Sequence, residues 1–164
     1  AISYHESDPD GYSAGNELIL AEQAVRPWYK AFPDAKLCYG NHDILPFRQA
    51  KSLGIPRHMI RDLNDIYGTP KWEWANSWNI DNVHYHHGRG SGTNAAINFA
   101  KQERMSVAIG HLHAFGACQY TASTHDIDIK AYSFAYGKDF PNRPTLGCGV
   151  IVSSTEAYFV PMKL

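Results

Sequence analysis

The sequence has little net charge, few cysteines and no long apolar run, and each shortage excludes a class of protein. Its 164 residues include 15 Lys and Arg against 16 Asp and Glu, a formal net charge of −1. Proteins that bind nucleic acid mainly by neutralising phosphates are normally basic, so this charge disfavours that class. Three widely spaced cysteines indicate free thiols in a reducing compartment rather than a disulfide framework. No apolar run approaches the ~20 residues of a membrane helix.

The composition that remains is that of a globular protein with an excess of histidine. Hydrophobic residues make up 44% of the chain and charged residues 19%, which predicts a single domain over residues 1–164. No secretory signal follows Ala1, and the expected location is cytoplasmic. The nine histidines need an explanation, because neutral imidazole is a common metal ligand.

Hydrophobic periodicity and turn residues predict alternating helices and strands in the first half of the chain. Asn16 is expected to cap a helix that begins at Glu17 and that Pro27 kinks or shortens. A buried strand over residues 35–39 is expected to end at Gly40. The pattern further predicts short helices over residues 46–53 and 56–66 and a packed loop over residues 71–78.

The second half of the chain is richer in predicted strands. A strand over residues 83–87 and another over residues 106–109 flank a helix from Thr93 to about Arg104. Further strands are predicted over residues 117–122, 126–134, 149–152 and 157–160. Helices between strands, followed by several strands together, indicate an α/β sandwich with mixed sheets.

Three of the predicted strands end alike, with glycine beside histidine or asparagine. The ends are Gly40-Asn41-His42-Asp43, then His87-Gly88, then Gly110-His111-Leu112-His113. Each one alone is compatible with a hydrogen-bonded turn or a polar strand edge. Ligands bind preferentially at strand ends in α/β folds, and imidazole binds zinc, manganese or iron. Three such ends in one chain therefore predict a metal site.

In this order, the three motifs resemble the last three of five motifs in the calcineurin-like metallophosphoesterase superfamily, especially its small phage and bacterial members. The segment 91–115 and the run over residues 144–149 look like the same proteins. The resemblance implies a four-layer α/β/β/α sandwich with two mixed sheets. It also implies hydrolysis of a phosphomonoester or phosphodiester by two divalent ions (Mn, Fe or Zn) with a metal-bound hydroxide as the nucleophile.

The resemblance also implies a role for each motif residue. Asn41, His87 and His111 would bind one metal ion, and His113 would bind the other. His42 would donate a proton to the leaving group. Asp43 would hydrogen-bond His42 and fix its tautomer.

The first two motifs of the superfamily, Asp-x-His and Gly-Asp-x-x-Asp, are absent from this sequence. His5, Asp8 and Asp10 lie in a polar, turn-rich stretch and match neither motif. The expectation is that the chain begins in mid-domain and lacks the first one or two strands. This chain by itself would then hold one metal ion at most and be inactive as a hydrolase.

Several residues have a structural and a functional interpretation. His86 and Arg89 are candidates for contacts with substrate, against the alternatives of a structural histidine and a solvated arginine. Trp72, Trp74 and Trp78 could stack on a base, but such clusters more often pack a loop down.

Two functions of other classes stay open beside the phosphoesterase. One is a binding or scaffold protein on the same fold that has lost catalysis; the pair of His42 and Asp43 argues against it. The other is a mononuclear metal protein that uses only the three histidine motifs. The substrate is expected to be a phosphate ester, with a nucleotide or a nucleic acid among the candidates, and no membrane partner is expected. The oligomeric state and a phage or bacterial origin stay undetermined.

Overall fold

In a computed structural model, residues 13–89, 95–111, 116–122, 125–131 and 147–161 are described. These residues form four α-helices and nine strands, a mixed α/β structure with several small sheets. The sequence predicted this class. The chain divides into two compact units, Ala1–Ala75 and Asn76–Leu164, and each is described by itself.

The first unit consists mainly of helices around one pair of parallel strands. Helix α1 (Ala14–Ala31) is followed by β1 (Lys36–Cys38), α2 (Leu45–Ser52), a turn of 3-10 helix (Arg57–Met59), α3 (Leu63–Tyr67) and β2 (Glu73–Ala75). Strands β1 and β2 pair in parallel. The long connection between them follows from this pairing, because parallel strands need a crossover.

Helix α1 begins earlier than the sequence predicted. Ser13, not Asn16, is the N-cap, and its hydroxyl accepts a hydrogen bond from the backbone N–H of Asn16 at 3.3 Å. Pro27 neither ends nor shortens the helix, which continues to Ala31. The ring of Pro27 lies on the exposed side of α1, where the missing N–H donor leaves a carbonyl that water can reach.

Two further predictions for the first unit are wrong. The single helix over residues 56–66 is broken, because Ile60 is extended and its carbonyl accepts a hydrogen bond from the Arg57 guanidinium. The guanidinium also pairs with Asp62, which precedes α3 and makes no side-chain capping hydrogen bond to it. The expected loop over residues 71–78 contains β2 and the start of another strand, because β2 finds a partner in β1.

The second unit contains a mixed sheet of three strands, β3 (Ser77–Ile80), β4 (Val83–His86) and β5 (Ser106–Ile109). Asp81 and Asn82 join β3 to β4, and both have positive φ, 51° and 61°. This is the pattern of a tight hairpin turn.

Strands β4 and β5 run parallel and are connected through helix α4 (Ala95–Glu103). The core between helix and sheet is small and consists of buried Ala96, Ala100, Val107 and Ile109. Small side chains on α4 let the helix lie close to the strands.

Two hairpins complete the second unit: β6 (Gly116–Ala122) with β7 (His125–Ala131), and β8 (Gly147–Ile151) with β9 (Ala157–Pro161). Strands were predicted at all four positions, although the expected extension of β7 to residue 134 and the cap Thr93 lie outside the described residues. Within the described ranges, no helix has the length and apolar character that crossing a bilayer requires.

Candidate metal-binding site at the strand ends

The end of β1 is a tight turn that an acidic side chain stabilises. The Asp43 carboxylate accepts a hydrogen bond from the backbone N–H of Gly40, with Oδ2 and N 3.0 Å apart. The backbone N–H of Ile44 donates to the Gly40 carbonyl at 3.1 Å. Asn41 and His42 are carried on this turn and are partly buried. The predicted hydrogen bond between His42 and Asp43 stays a prediction, whereas the bond from Asp43 to Gly40 is a contact that the motif did not suggest.

Asp43 also lies at an apolar groove of the first unit, with a volume of about 400 Å³. Tyr67 lines the same groove. Burial, and to a smaller extent the negative charge of Asp43, raises the pKa of Tyr67 to about 12. The phenol therefore stays protonated at any physiological pH.

The groove owes its apolar character to aromatic residues, which pack through rings and indole hydrogen bonds. Trp72 is buried, and its Nε1 donates to the Phe32 carbonyl at 2.7 Å. The indole of Trp74 donates to Oδ1 of Asn64 at 2.9 Å and its ring stacks on Tyr39 at 5.6 Å. Trp72 and Trp74 are thus packed within the first unit, although Trp74 lies on β2 rather than in the expected loop, and stacking on a base stays a prediction.

Strands β4 and β5 bring two of the predicted ligands together. His87 follows β4 and His111 follows β5 by one residue beyond Gly110, and the two ring centroids are 5.2 Å apart at an interplanar angle of 68°. Parallel pairing of the strands causes this approach, since His86 lies opposite Ile109 in the register. Both histidines are partly buried.

The backbones at these two strand ends are in close contact. Gly88 has a φ of +94°, and a Cβ atom there would lie 3.1 Å from the Gly110 carbonyl oxygen and 3.3 Å from Cβ of His111. A Cβ on Gly110 would lie 3.4 Å from the carbonyl oxygen of His87. His111 itself adopts a positive φ of 70°, which is uncommon outside glycine. The glycine of the second motif is thus needed for space and for conformation.

The donor chemistry of His87 and His111 fits a borderline divalent ion. Two imidazoles on one tetrahedral ion, with metal–nitrogen distances of about 2.0–2.1 Å, have ring centroids roughly 5 Å apart. The observed 5.2 Å agrees with that value and also with ordinary edge-to-face packing. The described part of the chain contains no cluster of three or more His, Cys, Asp or Glu side chains, and His113 lies outside it. Two of the predicted ligands, His87 and His111, thus lie close enough to share one ion, and an ion needs further ligands besides them.

His86 makes a hydrogen bond to the backbone that the sequence did not indicate. Its Nδ1 accepts a hydrogen bond from the backbone N–H of Gly88 at 2.9 Å, and its ring packs edge to face on Phe99 of α4 at 4.6 Å. Burial, followed by the neighbouring His84, lowers the pKa of His86 to about 4. His86 is therefore neutral at pH 7. No residue pattern signals such a bond, since it depends on the turn that Gly88 makes.

Arg89, the other candidate for substrate contact, is exposed. Its guanidinium lies over the ring of Phe99, 5.6 Å from the centroid. Neither this contact nor those of His86 tests an interaction with substrate, so both assignments stay predictions.

Comparison with models of known protein families, with curated proteins and with solved structures gives no match for this chain.

Proposed function

We propose that the protein is a metal-dependent phosphoesterase with a dinuclear centre, which hydrolyses a phosphomonoester or phosphodiester. The proposal rests on one observation: the second and third histidine motifs, distant in sequence, have their rings 5.2 Å apart at neighbouring strand ends. The order of the three motifs supports the proposed superfamily, calcineurin-like metallophosphoesterases, and with it the four-layer α/β/β/α sandwich.

The residues take the roles that the resemblance implies. His87 and His111 hold one metal ion by ring nitrogens, Asn41 contributes its amide oxygen to that ion, and His113 binds the other ion. Manganese, iron and zinc all accept such nitrogen and oxygen donors. When bound, the ions supply Lewis-acid activation of water and neutralise charge that develops on the phosphate.

His42 is proposed as the general acid that protonates the leaving oxygen. The turn that carries His42 is fixed by the hydrogen bond from the Gly40 N–H to the Asp43 carboxylate. Asp43 thereby holds the backbone of the motif in place, whether or not it also contacts the imidazole. Substituting Asp43 is expected to affect His42 through this turn.

The test measures hydrolysis of bis-p-nitrophenyl phosphate and p-nitrophenyl phosphate with Mn²⁺, using protein expressed from its complete reading frame. The variants His42→Ala, His87→Ala and His111→Ala are compared with His58→Ala, an exposed histidine in the 3-10 turn. Loss of a general acid typically costs about 10²–10⁴ in rate, and we expect at least a hundredfold loss for the first three variants only. With phenyl phosphate the loss in His42→Ala should grow, because phenolate is a poorer leaving group than p-nitrophenolate.

The outcomes separate the three functions. A wild-type rate no higher than the rates of His87→Ala and His111→Ala excludes the phosphoesterase. Metal binding by wild-type protein without turnover favours a mononuclear metal protein. The absence of both metal binding and turnover leaves the binding or scaffold protein.

A further inference from the structure

We infer that His86 is a positioning residue whose Nδ1 holds the Gly88 turn and thereby sets the approach of His87 to His111. Its own ring is not a metal ligand in this arrangement. His86 belongs to none of the three motifs, and the hydrogen bond from the Gly88 N–H gives it a structural role beside them. The expected effect on metal affinity rests on the proposed function, whereas the expected effect on hydrogen exchange at Gly88 does not.

The hydrogen bond between Gly88 and His86 determines the tautomer of the ring. A backbone N–H can only donate, so the Nδ1 atom that it reaches at 2.9 Å must be unprotonated. The neutral ring then carries its proton on Nε2. A nitrogen that bears a proton cannot bind a metal ion, and Nδ1 is already occupied. His86 is thereby distinguished chemically from His87, its neighbour in sequence.

The bond acts at the point where the two strand ends touch. Gly88 is the residue whose added Cβ would lie 3.1 Å from the Gly110 carbonyl and 3.3 Å from Cβ of His111. A small rotation of the Gly88 peptide would move His87, the preceding residue, relative to His111. The hydrogen bond from the Gly88 N–H to the His86 ring restrains that rotation. The His86 ring is itself held in place, since it packs on Phe99 of α4 at 4.6 Å.

Two substitutions separate the acceptor from the ring. His86→Phe keeps a ring against Phe99 but has no acceptor, whereas His86→Asn has an amide oxygen close to the former Nδ1 position but no ring. The same two changes at His84, whose ring lies 5.2 Å from that of His86 on the same strand, are the matched controls. Nδ1 of His84 contacts Asn79 rather than Gly88.

The first measurement is amide hydrogen exchange of Gly88 in metal-free protein. We expect exchange at Gly88 to be at least tenfold faster in His86→Phe and close to wild type in His86→Asn and in both His84 variants. The second measurement is the affinity for Zn²⁺ by calorimetry. Loss of an outer-shell partner typically weakens metal binding by about 10–100-fold, and His86→Phe should show such a loss that His86→Asn largely restores.

The results distinguish the two proposals. Faster exchange of Gly88 in His86→Phe, in a protein that does not bind Zn²⁺ in any form, supports the positioning role and rejects the proposed metal site. Unchanged exchange in His86→Phe overturns the positioning role, whatever the metal affinity. Equal losses in the Phe and Asn variants also overturn it, because they assign the effect to ring packing.

Discussion

The two units fix their histidine-bearing strand ends by different means. At the end of β1, a side chain does so: the Asp43 carboxylate accepts from the Gly40 N–H within the same turn. At the ends of β4 and β5, the His86 ring likewise accepts from the Gly88 N–H, but here the backbones themselves are also in contact, at Gly88 and Gly110. A turn held by one local side chain tolerates changes around it, whereas two backbones in contact tolerate no added atom between them.

The side chains packed behind these strand ends also differ between the two units. The first unit packs large aromatic rings, whose indole N–H groups are satisfied by Asn64 and by a backbone carbonyl. The core behind β5 consists of small and β-branched residues, among them Ala100 and Val107. Behind the strand ends, hydrogen bonds of the indoles therefore matter most in the first unit, and close approach of small side chains matters most in the second. This contrast is tested by predictions at four residues, Gly88, Asn64, His86 and Tyr67.

The largest effect is expected for Gly88→Ala. The new Cβ meets the Gly110 carbonyl oxygen at 3.1 Å, and the φ of +94° is unfavourable for alanine. Overpacking and backbone strain together should lower the free energy of unfolding by about 3 kcal/mol, measured by urea denaturation. Gly54→Ala is the control: φ is +73° but no atom lies within 4 Å, so only about 1 kcal/mol is expected. Equal costs for the two variants would contradict the close contact between β4 and β5.

Asn64→Ala should produce the next largest effect. Its amide accepts from Trp74 Nε1 and from the buried hydroxyl of Thr69, and donates to the Trp72 carbonyl. Leaving these partly buried groups without partners should cost about 2–3 kcal/mol, measured by the same denaturation with tryptophan fluorescence as the probe. Asn98→Ala, on the exposed side of α4, should change stability little. A cost for Asn64→Ala as small as for Asn98→Ala would show that ring packing alone holds the first unit.

His86 should make the protein sensitive to acid. Its pKa is about 4 in the folded state and about 6.5 in an unfolded chain. Between these values the unfolded state binds more protons, so stability falls as the pH drops from 6.5 towards 4. Burial is the largest single cause of the lowering of this pKa. His84, Arg89 and His87 add to it, and Glu103 opposes it.

The check on His86 is the urea midpoint of wild type and His86→Asn between pH 7 and pH 4.5, with a chelator present. The fall in midpoint should be smaller in the variant. Parallel curves would assign the acid sensitivity to the other histidines.

The smallest effect is expected at the alkaline end, from Tyr67. Its pKa of about 12 in the folded state exceeds the value of about 10 in an unfolded chain. Above pH 10 the unfolded state therefore loses a proton that the folded state retains, and stability falls as the pH rises. In a spectrophotometric titration, Tyr67→Phe should remove a tyrosine that ionises at a pH of about 12. Asp43→Asn should lower the pH at which Tyr67 ionises. An unchanged titration curve in Asp43→Asn would show that burial is the sole cause.

The sequence predicted best what depends on short-range patterns. The strands before Gly40, Gly88 and Gly110 are present, and so are α2, α4 and the four strands of the two hairpins. The loop expected over residues 71–78 is wrong because a distant contact overrides the local signal. Residues 73–75 form a strand because β1 offers a partner.

The candidate site also has features that the sequence predicted and features that it did not. Histidine, asparagine and glycine at three strand ends are visible in the sequence, and this led to His87 and His111. The bond between His86 and the Gly88 N–H is not visible, because glycine permits the positive φ at Gly88 but does not specify it.

The sequence by itself determined which residues carry candidate chemistry and the strands that they follow. Only the tertiary structure decided that the His87 and His111 rings meet, at 5.2 Å, and that His86 faces the backbone instead. The physical reason is that residue type and local periodicity fix secondary structure over a few residues. The distance between two strand ends, by contrast, is set by parallel pairing across a helical crossover and by the absence of a Cβ at Gly88 and Gly110.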